Sequence, residues 1–369
     1  MRIRFLVAVW VFARHLHIYG TVPNGAGGAP SSEVLQNPPT YHSALSPSDA
    51  RAHGIHNMLL VYTGDHGSLG LWSQLDFLPM LGYTSLTGSA PSARMFDTML
   101  FLPYGSVADT QSGWQAYLND LFASNQQLSS LDAAVGQVNQ ELSTPGYKEK
   151  VVLTLPYASY GDGVWGSVNG NPINLNGTSD DPLALQARHQ AMQWYLQTLL
   201  SMWNNAHFQN LELTGLYWEN EAVNEERPGE VPLIQDAVSL AHQNNLPLFW
   251  IPYYDAAGIA DWQTLDFDAA WLQPNYVEQG TTADIGRIRN AEQYATAHGM
   301  GLELEVTSTD SQVQTLYSQS IDQLVADGFA GNVSHAWYAG SKLLVTAANS
   351  SDPNTRLLYD NTYNMIAHP

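Results

Sequence analysis

Cysteine is absent from this chain of 369 residues, which excludes disulfides, thiolate metal sites and cysteine nucleophiles together. Basic residues are scarce: 13 Lys and Arg stand against 34 Asp and Glu, a formal charge of −21. Such a balance repels phosphate backbones and anionic lipid heads, so nucleic acid is not expected as a partner. No stretch approaches the roughly 18 consecutive apolar residues that a membrane span needs, and no membrane insertion is expected. An HExxH helix, a Gly-x-Ser-x-Gly elbow and a complete EF-hand loop are all missing. Asp65-His66 reads as a solvated loop and Gly161-Asp162-Gly163 as a turn, so no metal and no cofactor is expected.

What is present suits a large core, since 44% of the residues are hydrophobic. Arg2 and Arg4 precede an apolar run from Phe5 to Ala13, which resembles a short export signal over residues 1–19. That reading places the protein outside the cell or in its envelope; a cytosolic N-terminus or a displaced start codon is the alternative. Residues 20–50 are rich in Gly, Pro, Ser and Asn and read as a linker or poorly ordered arm. Residues 51–369 read as one α/β domain.

Within that domain short apolar runs alternate with helical patterns. The runs are His56–Gly64, Asp97–Tyr104, Lys150–Tyr157, Leu213–Glu221, Pro247–Tyr254, Phe267–Tyr276, Met300–Val306 and Val333–Tyr338. Amphipathic stretches such as Trp114–Leu142, Leu183–Asn205, Val231–Asn244, Ala283–His298 and Ser311–Asp327 separate the later runs, and Asn354–Ile366 closes the series. Strands joined by helix-length segments imply parallel pairing through right-handed crossovers. Eight of them imply a (β/α)8 TIM barrel with long βα loops. A doubly wound open sheet is the alternative, weakened because no glycine-rich phosphate fingerprint follows the first strand.

Polar and aromatic residues gather at the C-terminal strand ends, the face where barrel active sites form. Tyr62 and Asp65, Tyr104, Tyr157, Tyr253 and Tyr254, Gln273, Asn275 and Tyr276, and Trp337 and Tyr338 are candidates for a substrate lining. Trp165, in the long loop from Ala158 to Pro182, is a further candidate, placed to cover a ligand. Tyr and Trp faces stack on pyranose rings while their polar tips and nearby amides bind hydroxyls, so a carbohydrate is the expected partner.

The fourth and seventh strands carry carboxylates. Alternation puts Tyr217, Glu219 and Glu221 on one face and sets Glu303 and Glu305 on one face of the seventh strand. Carboxylates facing a barrel interior are costly unless they are paired, hydrogen-bonded or protonated, so two such pairs point to a function, and glycosidic cleavage uses two carboxyls. Asn220-Glu221 resembles the Asn-Glu pair of the clan-A retaining glycoside hydrolases, and Glu305 matches their second Glu. That resemblance implies Glu221 as acid/base and Glu305 as nucleophile. The acidic neighbours Glu219 and Glu303 depart from the pattern, as support for their partners or as the true catalytic residues.

The phrases LTGLYWENE, FWIPYYDAAG, FDAAWLQPNY and GLELEV, with the earlier VYTGD and MFDTMLFLPYG, resemble the domain-of-unknown-function 4855 family over most of residues 56–342. The resemblance implies a barrel and an exported, sugar-related protein. It supplies no reaction. The expected function is therefore a glycoside hydrolase. A barrel that binds polysaccharide without cleaving it, or a polysaccharide lyase or esterase, is the alternative.

Overall fold

The apolar runs form eight parallel strands: β1 (Asn57–Thr63), β2 (Thr98–Pro103), β3 (Glu149–Leu155), β4 (Leu211–Trp218), β5 (Leu248–Trp250), β6 (Ala269–Leu272), β7 (Gly301–Glu305) and β8 (His335–Tyr338). Each pairs with its neighbours in sequence and β8 pairs with β1, which closes the barrel. The computed structural model describes residues 43–64, 66–104, 110–158, 164–175, 182–224, 229–340 and 342–367. The expected export signal, most of the expected linker and Asp65 lie outside them.

Helices cover the barrel: α1 (Gln74–Leu81), α2 (Gln111–Leu121), α3 (Gln127–Glu141), α4 (Pro182–Ala206), α5 (Glu230–Gln243), α6 (Gly286–His298), α7 (Ser311–Ala326), α8 (Leu343–Ala348) and α9 (Pro353–Ile366). Helix α1 has no counterpart among the expected stretches. It starts at a capping box, with Ser73 and Asp76 satisfying each other's backbone N–H groups. The stretch Trp114–Leu142 is two helices because Asn125 and Gln127 take left-handed backbone angles. The buried Gln127 amide makes that break worthwhile. Its Oε1 accepts from Trp72 N–H, and its Nε2 donates to Gly70 O and Asp120 Oδ2.

Alternation sorts the strand residues into two layers. Val61, Phe101, Leu153, Trp218, Trp250 and Leu304 pack outward with the helices, while Met58, Leu60, Leu100, Val152, Phe249 and Trp271 fill the interior. Two glycines make that filling possible. A Cβ on Gly301 would stand 2.2 Å from the Trp271 indole, and one on Gly215 would stand 2.5 Å from the Phe249 ring. The floor is closed by Leu45, fully buried, with Ala52 and Ile55. Leu45 N–H donates to Met300 O, and Leu45 O accepts from Ser334 N–H. Residues 44–50, expected in the linker arm, thus pack with the barrel.

Candidate active site

With aromatic and aliphatic side chains filling the lower interior, the upper layer is left to polar groups. Gly301, Glu303 and Glu305 share the inner face of β7, and both carboxylic side chains are enclosed, at 3% and 5% exposure. They lie opposite Ala336 and Tyr338 of β8. Burial pushes both carboxyls well above the usual carboxylate range. For Glu303 the neighbouring Glu305, Glu221 and Glu278 push further in the same direction. For Glu305 the pressure of Glu278 and Glu221 is partly offset by the Tyr276 backbone N–H and by Arg287.

A chain of amides positions Glu305. Asn275 Nδ2 donates to Glu305 Oε1 at 2.9 Å and to Gln273 Oε1 at 3.2 Å. Asn275 Oδ1 accepts from Tyr254 N–H at 2.9 Å, and Gln273 Nε2 donates to Ile251 O at 2.9 Å. Glu303 receives no hydrogen bond on its carboxyl from the described residues, and the charges bearing on it are carboxylates.

The two acids beyond β4 both bear on the inward Tyr217 but differ in their other neighbours. Glu221 acts on Glu303, Glu305, Tyr62 and Tyr217 and so faces the mouth. Glu219 Oε2 accepts from Tyr157 N–H at 3.3 Å, and its charge bears on the buried Tyr117 and Tyr195 hydroxyls of α2 and α4. Between them, Asn220 donates through Nδ2 to Ala222 O at 2.8 Å and to Glu230 Oε1 at 3.4 Å. Asn220 therefore braces the loop.

Tyrosines line part of the rim. Tyr62 meets Tyr104 edge-on at 6.0 Å and Tyr338 at 5.7 Å, a run of rings across the ends of β2, β1 and β8. His66 stacks on the other side of that run, 3.8 Å from the Tyr104 ring. Burial pushes the hydroxyls of Tyr62, Tyr217 and Tyr338 up, and the neighbouring carboxylates add to it. All three stay protonated as donors. Tyr253 is half-buried at the end of β5.

Several residues expected in the lining stand elsewhere. Trp337 belongs to the outer layer, edge-on to Phe96, with its Nε1 donating to Asn57 Oδ1 at 3.0 Å. It alternates with the inward Ala336 and Tyr338, so the parity of β8 excludes it. Trp165 sits in a hairpin of Val164–Val168 and Asn171–Asn174, edge-on to Trp114 of α2 and Trp194 of α4. It anchors that hairpin to the helices. Tyr276 is buried and donates to Gln319 of α7. Arg287 lies 3.8 Å over the Tyr254 ring, which occupies that face. Tyr157 turns to α5, where its hydroxyl donates to Glu230 Oε2 at 2.7 Å.

Three charged neighbours of the site were not singled out from the sequence. Glu230 is buried in the first turn of α5, where an acid ordinarily reads as a helix-dipole partner. Glu278 is exposed in the short 3-10 segment after β6, and Arg287 is in the first turn of α6. The charges of Glu278 and Arg287 reach the β7 carboxyls, and Glu230 holds Tyr157 and Asn220, through loop geometry that no strand alternation encodes.

The family model described as Domain of unknown function (DUF4855) matches residues 57–364. No curated protein matches the sequence. Among solved structures the chain is similar to YKL-39 determined with chitooligosaccharides, at TM-score 0.47 and 9% identity over 85% of this chain and 100% of that one. An endo-beta-1,4-mannanase from Thermotoga petrophila gives TM-score 0.47 and 11% identity over 85% and 77% of the two chains. The GH18 chitinase ChiB of Flavobacterium johnsoniae gives TM-score 0.43 and 8% identity over 84% and 94%. These likenesses are of fold.

Proposed function

We propose that this chain, which belongs to the DUF4855 family, is a glycoside hydrolase that works with the carboxylates of its barrel mouth. The observation that carries the reading is the convergence of Glu221 with Glu303 and Glu305 in an enclosed, tyrosine-rimmed site. In this reading Glu221 protonates the glycosidic oxygen as the bond to the anomeric carbon breaks. Glu305 attacks that carbon, and water, deprotonated by Glu221, then releases the sugar.

The β7 pair suits that division of labour. Charge on Glu305 disfavours charge on Glu303, and Glu305 has the Asn275 amide, the Tyr276 N–H and the nearby Arg287 to favour its charged form. Glu305 is therefore the member of the pair that gives up its proton first, as attack requires, and Glu303 the one that keeps it. Glu219 and Asn220 hold the β4 loop rather than the substrate.

The experiment is a glycan screen by reducing-end release, followed by Glu221→Gln and Glu305→Gln. Loss of a catalytic carboxyl is expected to lower kcat by about 100-fold or more with folding retained. Proton NMR of the first product anomer then separates retention from inversion. Full turnover in both variants sinks the assignment. Tight glycan binding without any cleavage by the unaltered protein favours a binding barrel instead.

A further inference from the structure

Resting on the reading of the mouth as a sugar site, we propose that its substrate is a glycan bearing free, protonated amino groups, a de-N-acetylated hexosamine chain. Hydrolysis occupies two carboxyls. The mouth holds Glu303 and Glu278 beyond the Glu221 and Glu305 pair. Glu303 is 3% exposed, with no hydrogen bond to its carboxyl from the described residues and only carboxylates bearing on it. Among the described residues it is a buried acid whose carboxyl has no hydrogen-bond partner, on the inner face of the strand that leads to the mouth.

An ammonium group is the complementary ligand. It supplies a positive charge and three donors with no acceptor, which suits oxygens that only accept. When it binds, the proton held by Glu303 passes to solvent and the ion pair replaces it. An acetamido group has one N–H and sets a carbonyl oxygen among carboxylates, a poorer match. Among the described residues the cation that bears on the β7 pair is already engaged: Arg287 lies 3.8 Å over the Tyr254 ring and donates to Pro274 O. The ring run Tyr104, Tyr62 and Tyr338 adds π faces that attract a cation, and the chain's charge of −21 draws polycationic glycans toward it.

The test is calorimetric binding to the full chain carrying Glu221→Gln, which disables cleavage. The probes are glucosamine and galactosamine tetramers, their N-acetylated counterparts, and spermine as an amine without a sugar. An amino tetramer is expected to bind at least about tenfold more tightly than its acetylated form, the worth of a charged hydrogen bond. That advantage should shrink on adding Glu303→Gln and in high salt. It should also shrink with Glu278→Gln, an exposed position where folding is not at stake. Equal or tighter binding of the acetylated tetramers, no binding of either amino tetramer, or spermine matching the amino tetramers overturns the proposal. Cleavage by the unaltered chain is read separately. Amino-glycan preference without cleavage keeps this inference and sinks the hydrolase; cleavage of neutral glycans without that preference does the reverse.

Discussion

Asn275 Nδ2 stands 2.9 Å from Glu305 Oε1 and donates to it from the loop beyond β6 to the end of β7. To do so Asn275 adopts φ of 48°, the left-handed region that Asn tolerates better than most residues. The same side chain ties Gln273 and the Tyr254 N–H to one carboxylate. One residue thus links the ends of β5 and β6 to the proposed nucleophile on β7.

Removing that amide should be felt twice. Asn275→Ala loses a hydrogen bond to a charged group, about 1.5–3 kcal/mol, and puts a residue that tolerates left-handed space less well than Asn at φ of 48°, at about 1 kcal/mol more. Asn275→Gly loses the bond without the strain, so its unfolding midpoint should fall less. Both variants withdraw support from ionised Glu305 and raise its pKa. The acid limb of kcat/KM should therefore move to higher pH, and an unmoved limb would show that the amide does not tune this carboxyl.

Glu303→Gln should make the protein more stable at neutral pH. The folded-state pKa of Glu303 is raised above its unfolded value, first by burial and then by Glu305. The folded chain therefore holds a proton that the unfolded chain releases. Stability is full below about pH 4, near the unfolded value, and is lost as pH rises. Glutamine keeps the shape and cannot ionise, so urea unfolding at pH 7 should show a gain on the order of 1–4 kcal/mol over the parent. Near pH 4 the two should be close. A loss at pH 7 would mean that Glu303 is held by a partner charge.

The alternation of β4 and β7 already pointed Glu303 and Glu305 inward, and the rings of Tyr62 and Tyr338 follow from strand parity in the same way. Parity also decides against Trp337, because the inward positions of β8 are Ala336 and Tyr338. An aromatic at a strand end is no guide to the mouth until the register is known. Residues beyond the last paired position escape this logic. Glu219 and Glu221 share a parity, yet one turns to Tyr157 and the other to the β7 pair. Trp165 lies in a hairpin outside the barrel, and Tyr276, Glu230 and Glu278 lie on loops or at helix starts, where contacts between elements distant in sequence set the side-chain direction. Leu45 was hidden for a different reason. A Gly- and Pro-rich neighbourhood reads as linker, while the leucine within it joins Ala52 and Ile55 in closing the barrel floor.

Arg188 should behave as a structural clamp. It is fully buried in α4 and donates to Ala158 O, Ala184 O and Leu175 O, at 3.1, 3.0 and 2.9 Å. These carbonyls lie after β3, in the first turn of α4 and after the hairpin. Lysine carries the charge but not the planar fork that reaches three acceptors. Arg188→Lys should cost about 1–3 kcal/mol for each carbonyl left without a donor, read by urea unfolding. A change of under 0.5 kcal/mol would show that the clamp is dispensable.

Trp165 separates a packing role from a substrate role. At 3% exposure it is edge-on to Trp114 at 5.1 Å and to Trp194 at 5.4 Å, so its ring is spent on α2 and α4. Trp165→Ala opens a cavity between the hairpin and those helices and should destabilise the fold by about 3–5 kcal/mol. Among molecules that remain folded, glycan affinity should be unchanged, because no face of this ring is free to stack on a sugar. Calorimetric binding well below the variant's unfolding temperature reads that affinity. An affinity loss with stability intact would return Trp165 to the substrate lining and make the hairpin a cover over the mouth.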